Sequence, residues 1–215
     1  MPRRKKRLWA GERMEIRKID TPDKKLIDQV VSIHLETFTG FFLTFMGRGF
    51  LRQLYTSYCK HSESGLLVAF EENEPVGFLA YSAALGKLYK YMIKTRLIPF
   101  GWYAAGAFFR KPAVFMRLVR AFLKPGESAR EEAYVELASI GVKPETKGMG
   151  VGSRLIDDLK ARVDFGKYAY INLETDADNN EVANRFYVKN GFVLYRSFET
   201  PEGRKMNEYR YGGGQ

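Results

Sequence analysis

A glycine-rich loop between a strand and a helix constrains this chain more than any other feature. Lys147-Gly148-Met149-Gly150-Val151-Gly152-Ser153 follows a run of β-formers from Tyr134 to Val142. After it, Leu155, Ile156, Leu159 and Val163 recur at helical spacing. Without side chains in the way, the backbone N–H groups of such a loop can approach a phosphate, and the helix start adds positive potential at the same place. Glycines also serve simply to make a turn. The loop alone therefore points to a phosphate-bearing ligand without naming it.

The 215 residues suit one sizeable domain, and a hydrophobic fraction of 45% supports a real core. The single cysteine, Cys59, has no partner for an internal disulfide, which fits a reducing compartment. Cys59, His34 and His61 are not in metal-ligand spacing, so no metal is expected. Cys59 reads as a half-buried residue near a helix end. The net charge of +10 calls for an acidic partner: a polyanionic cofactor, nucleic acid or an anionic membrane surface. Part of the excess is Arg3-Arg4-Lys5-Lys6-Arg7, in a basic segment, 1–13, expected to be a disordered tail. It lacks the apolar run of a signal peptide, so a cytoplasmic protein is expected. A second basic region has no Asp or Glu from Pro75 to Gly126, and aromatics such as Tyr89, Tyr91, Trp102 and Phe109 alternate with its lysines and arginines. Its longest uncharged run, Leu97 to Phe109, is too short to span a membrane and is broken by Pro99, Gly101 and Gly106.

Along the chain, Met14 to Ile19 alternates as a first strand, and Thr21-Pro22-Asp23 signals a helix start. Leu26, Ile27, Val30, Val31, His34 and Leu35 form an apolar helical stripe, on which His34 reads as a core histidine. Phe38 to Gly49 reads as an aromatic turn, before a helix carrying Phe50, Leu51, Leu54 and Tyr58. Leu66 to Phe70 and Pro75 to Tyr81 are strands joined by a hairpin turn at Glu71 to Glu74. Residues 86–126 read as a helical insertion. Beyond the glycine loop, a strand at Tyr168 to Glu174, a helix at Asn180 to Lys189 and a final hairpin, Phe192 to Phe198 with Lys205 to Tyr211, complete the chain. The domain is expected to span 14–211, with a flexible end at 212–215.

After one helix and one strand, the loop is followed by Asn180, Ala183, Phe186, Tyr187, Gly191 and Phe192. These offsets, with Lys147-Gly148-Met149-Gly150-Val151-Gly152 upstream, resemble the GNAT family of acyl-CoA-dependent N-acetyltransferases. That family carries Gln/Arg-x-x-Gly-x-Gly/Ala and then Asn-x-x-Ala-x-x-hydrophobe-Tyr-x-x-x-Gly-Phe. The resemblance is strong from Tyr134 to Phe198, moderate in element order from Met14 to Tyr81, and absent from Gly86 to Gly126. Lys147 departs from the pattern, replacing a side-chain fork by a point charge. The resemblance implies an α+β (mixed α/β) fold: a central twisted mixed sheet of six to seven strands flanked by helices, with a helical insertion between the third and fourth strands.

It also implies acetyl-CoA as co-substrate, a small-molecule primary amine as acceptor, and direct attack in a ternary complex. Backbone groups of Ile140 and Val142 would hold the pantetheine arm, and the amides of Lys147 to Gly152, with Ser153, the pyrophosphate. Asn180 would contact the arm or cap its helix. Tyr187 would protonate the leaving sulfur, or else pack its helix on the sheet. Glu136 is the candidate base, on a strand face that alternation shares with Ala138 and Ile140; a substrate contact is the other reading. Glu174 is a weaker candidate, and a water relay with no dedicated base stays open. The insertion could cover an anionic acceptor such as a nucleotide-linked amino sugar, with its aromatics stacking on a base or ring, and Phe41 to Gly47 is similar to acetyltransferases associated with bacterial surface sugars. For the stretch 87–124, contact with an anionic membrane surface at the inner face, a homodimer contact, a packed hairpin with a solvated basic face and, more weakly, nucleic-acid binding all stay open. So do a membrane- or RNA-binding protein with a vestigial cofactor site and a protein or peptide N-acetyltransferase.

Overall fold

A computed structural model of the chain describes residues 14–38, 42–95, 132–201 and 203–212. The basic segment 1–13 and most of the expected insertion, 96–126, lie outside them. Seven strands form one sheet in the order β1-β2-β3-β4-β5-β7-β6. They are β1 (Met14–Lys18), β2 (Ser64–Glu71), β3 (Glu74–Ser82), β4 (Tyr134–Val142), β5 (Tyr170–Asp176), β6 (Val193–Glu199) and β7 (Lys205–Gly212). Every neighbouring pair is antiparallel except β4 with β5. The described helices are α1 (Lys24–Thr37), α2 (Phe42–Met46), α3 (Arg48–Lys60), α4 (85–95), α5 (Val151–Arg162) and α6 (Glu181–Lys189).

β2 is buried along nearly its whole length, because helices cover both faces of the sheet there. Its continuous apolar run, Leu66 to Phe70, is what a two-sided strand requires. On the first face, Leu66, Val68, Phe78 and Ala80 pack with α1, α3 and, from α4, Leu88 and Met92. On the second face, Leu67, Ala69, Leu79, Val135 and Leu137 pack with Val151, Leu155, Ile156 and Leu159 of α5 and with Tyr187 of α6. The turn between β2 and β3 places Glu72 and Asn73 at φ 50° and 66°, the backbone of a tight two-residue hairpin.

Several boundaries differ from the sequence reading. Asp23 caps α1 by accepting the Leu26 N–H at 3.1 Å, so Pro22 precedes the cap. Ile33 joins the buried stripe of α1. The aromatic turn contains a short helix, α2, held by Thr44, whose hydroxyl donates to the Phe38 carbonyl at 2.6 Å. Gly212, expected in a flexible end, closes β7 opposite Tyr170.

Candidate active site

The glycine loop lies between β4 and α5. A 3₁₀ turn at Pro144–Thr146 turns the chain out of β4, and the Thr146 hydroxyl donates to the Lys143 carbonyl at 3.0 Å. Gly148 and Gly150 take φ of 81° and 83°, a left-handed backbone that favours glycine. Among the described residues a Cβ built on either would meet nothing within 4 Å, which leaves room beside the loop. Gly152 has a different job: a Cβ there would come within 3.0 Å of the Phe186 ring, so the glycine lets α5 lie against α6. Val151, Gly152 and Ser153 are the first helical residues, whose N–H groups have no intrahelical acceptor, and α5 has no acidic residue in its first turn. These amides, the open space and the helix dipole make a cradle for an anion.

Beside the cradle the sheet splits. β4 and β5 pair only at Tyr134↔Tyr170, Val135↔Ile171 and Glu136↔Asn172. Past Glu136, β4 keeps β3 on one side and has no described strand on the other, while β5 follows β7. Lys143 donates its backbone N–H to Val76 across β3 at 2.9 Å. Strand alternation then turns the N–H and C=O groups of Ile140 and Val142 toward the open side. The Val142 carbonyl already accepts from the Thr37 hydroxyl at 3.2 Å, whereas the Val142 amide and both backbone groups of Ile140 face the split.

β4 carries a bulge: Ala80 faces Ser139 while Tyr81 faces Leu137, which leaves Ala138 as the extra, exposed residue. The bulge corrects the expected face of Glu136. Glu136 lies opposite Ser82 on the first face, with Ser139 and Gly141, while Ile140 packs on the second face. One inserted residue flips the alternation. Glu136 accepts a hydrogen bond from the Asn172 side chain, Nδ2 to Oε2 at 2.8 Å. Asn172 is fully buried, and its Oδ1 has no partner among the described residues. The Glu136 carboxylate also raises the Tyr58 phenol, after burial and the neighbouring Tyr89 and Tyr55. Glu174 is exposed on the same face, two residues past Asn172 and opposite the buried Glu208.

Tyr187 sits on the second face. Its ring packs against Phe186, Phe192 and Tyr209, with centroids 5.4, 6.0 and 6.0 Å away. Burial pushes its phenol up to about 12, so it keeps its proton at neutral pH. Tyr187 and Glu136 therefore lie on opposite faces of the sheet. Asn180 stands at the cap position of α6 without making a side-chain cap bond. Its Nδ2 instead donates back to Thr175 Oγ1 at 2.7 Å and to the Asp176 carbonyl at 3.3 Å, tying the helix start to the end of β5. Lys147 is exposed at the rim of the cradle.

Sequence reading missed four residues that shape this region. Asn184 donates to the Asp176 and Asn180 carbonyls and accepts from Asn207 Nδ2 and the Tyr209 hydroxyl, both at 2.9 Å, clamping α6 onto β5 and β7. Asn172 interrupts an apolar strand, a signal that was legible. Tyr55 falls one turn past Leu51 on the stripe of α3 and was legible too. Ser139 had no signal, because its face depends on the bulge.

Of the stretch 87–124, the described part, 87–95, belongs to α4. Lys87 pairs with Glu63 at 3.0 Å, while Lys90, Ile93 and Lys94 are exposed. Among the described residues no helix is long and apolar enough to cross a membrane, and no group of three His, Cys, Asp or Glu is placed to hold a metal. An open surface groove lined by Asp28, Arg52 and Lys143, among others, carries none of the site residues. Burial lifts the half-buried Cys59 thiol to about 12, which removes it as a nucleophile at neutral pH.

A family model described as "Acetyltransferase (GNAT) family" matches residues 27–192. No curated protein matches the chain in sequence. Among solved structures, a GNAT-family protein from Desulfovibrio desulfuricans matches with a TM-score of 0.59 at 16% identity, over 93% of this chain and 98% of that one. The ribosomal-protein-S18-alanine N-acetyltransferase of Escherichia coli matches at 0.54 and 12% identity, over 94% and 98%. NAA60 of Arabidopsis thaliana, solved in complex with acetyl-CoA, matches at 0.55 and 13%, over 94% and 99%. These likenesses establish a shared fold, and together with the family match they show that the chain belongs to the GNAT family of acetyltransferases.

Proposed function

We propose that the protein transfers an acetyl group from acetyl-CoA to the primary amine of a small molecule. The observation that carries this reading is the split between β4 and β5, which presents the amides of Ile140 and Val142 beside the glycine cradle. An extended amide-bearing ligand completes such an edge, and a pyrophosphate fits the open space beside Gly148 and Gly150. Bound acetyl-CoA supplies an activated thioester carbonyl, which an amine attacks with release of the CoA thiol.

The chain's own groups then divide the work. The amides of Gly148 to Ser153 bind the pyrophosphate, with Lys147 as an added point charge. Backbone groups of Ile140 and Val142 align the pantetheine arm. Tyr187, protonated at neutral pH, offers its O–H from the second face for the departing sulfur. Glu136, held by Asn172, accepts the amine's proton from the first face, directly or through water. Glu136 and Glu174 share that face, which favours an acceptor that arrives as a cation.

The test has two stages. Acetyl-CoA should raise the unfolding temperature, and a thiol-release screen should find its acceptor among amino sugars, polyamines, amino acids or peptides. No stabilisation by any acyl-CoA refutes the reading; turnover confined to peptides refutes the small-molecule acceptor.

A further inference from the structure

A buried polar chain reaches the split from the first face. His34 of α1 is 2% exposed and Tyr55 of α3 is fully buried. His34 Nδ1 lies 2.7 Å from Tyr55 Oη, and Tyr55 Oη lies 3.5 Å from Ser139 Oγ. Aromatic rings surround the pair: Phe38 lies 4.7 Å from the imidazole, and Phe78 lies 5.0 Å from the Tyr55 ring, centroid to centroid. An imidazole and a phenol are costly in such a place unless they bond to each other. Among the described residues His34 Nε2 has no partner, so the chain has a dead end on one side. Its other end, Ser139, is half-buried just past the bulge, in the part of β4 that β5 does not cover.

Magnitude decides what such a chain can do. Burial alone lowers the imidazole to about 4, so a proton on His34 at pH 7 is disfavoured roughly a thousandfold. His34 is therefore a poor proton store and a good neutral hydrogen-bonding group. A single proton on Nε2 would let Nδ1 accept from the Tyr55 hydroxyl, and Tyr55 accept in turn from Ser139. The Ser139 lone pairs would then be left unclaimed by the chain, on a residue in the part of β4 that β5 does not cover. An amine attacking a carbonyl there must aim its own lone pair at the carbon and place its N–H bonds elsewhere. An oriented oxygen on the first face gives one of them an acceptor.

We propose that Ser139 accepts a hydrogen bond from the acceptor amine in the reactive pose, and that Tyr55 and His34 are positioning residues that fix the direction of the Ser139 hydroxyl. This rests on the acetyl-transfer reading above. It adds an orienting group distinct from Glu136 and Tyr187, and one whose polarity is set two side chains away.

Two measurements test it. Nitrogen NMR of the intact protein reads the His34 tautomer without any ligand: Nε2 protonated and Nδ1 bare is expected, and a proton on Nδ1 overturns the proposal. In the transfer assay, Ser139→Ala should lower kcat roughly 10- to 100-fold, the worth of one oriented hydrogen bond. The KM for acetyl-CoA should stay within twofold of wild type. Ser139→Thr, which keeps the hydroxyl, should retain most of the activity, and Tyr55→Phe should lose roughly tenfold with its ring packing intact. Wild-type kcat in Ser139→Ala overturns the proposal, and so does equal loss in the Ala and Thr variants, which would assign Ser139 to packing. A wild-type protein that releases no CoA with any amine counts against the acetyl-transfer reading instead, and the tautomer measurement still decides the polarity.

Discussion

Acid should weaken this protein through His34 in a way that can be isolated. The imidazole is buried with its Nε2 unpartnered among the described residues, and burial holds it down at about 4 against an ordinary 6.5. The unfolded chain binds this proton more readily than the folded one. A depressed value in the fold therefore contributes stability that is complete above about pH 6.5 and is lost as the pH falls toward 4. The gap between the two values, at 1.36 kcal/mol per unit, amounts to about 3 kcal/mol, most of it gone by pH 4.5. Carboxylates titrate over the lower part of the same range, so the comparison must be differential. Urea unfolding of the wild type and of His34→Gln at pH 7 and pH 4.5 should show the wild type losing about 2–3 kcal/mol more than the variant. The chain has only two histidines, so the ring proton of His34 can also be followed directly, with a His61 variant for assignment. Equal losses in the two proteins, or an imidazole that titrates between pH 6 and 7, would refute the buried, uncharged assignment.

The glycine loop yields a second prediction. Gly150→Ala, forced to a φ of 83°, should cost about 1–2 kcal/mol in urea unfolding and weaken acetyl-CoA binding by calorimetry, because the amides no longer converge. Gly152→Val should act by another route, wedging α5 from Phe186 and costing about 1–3 kcal/mol with or without ligand. Tyr187→Phe should keep its unfolding temperature, since the ring does the packing, and lose about 100-fold in kcat. Asn184→Leu leaves the Asn207 amide and the Tyr209 hydroxyl without their shared acceptor and should destabilise by about 2–3 kcal/mol in urea unfolding.

The glycine loop and the helix after β5 were legible because their geometry is local. Gly148, Gly150 and Gly152 lie within five residues and act through backbone shape, so their spacing survives in the one-dimensional string. Asn180, Tyr187 and Phe192 belong to one helix and its exit, which is also a short-range pattern. The first face was less legible because it depends on long-range register. Alternation assigned Glu136 to the face of Ile140, and a single bulged residue at Ala138 reversed it. Nothing in the identity of an alanine announces a bulge. Tyr55 and Ser139 stand 84 positions apart, so their meeting follows only once α3 is laid on β4. Asn180 illustrates the opposite limit: its residue type suggested a helix cap, but the nearby Thr175 hydroxyl and Asp176 carbonyl win its amide.

The three-residue parallel pairing of β4 with β5 has a mechanical consequence. Among the described strands it is the one seam joining two antiparallel halves, β1 to β4 and β5 with β7 and β6. Each half is knitted by a hairpin of its own, β2–β3 on one side and β6–β7 on the other. Cooperativity across the sheet must therefore pass through the side chains of α5 and Tyr187 more than through backbone bonds. Hydrogen exchange should resolve the halves as separate units in the free protein. A ligand lying along the seam would then act as mortar, merging them into a single unit that opens as one.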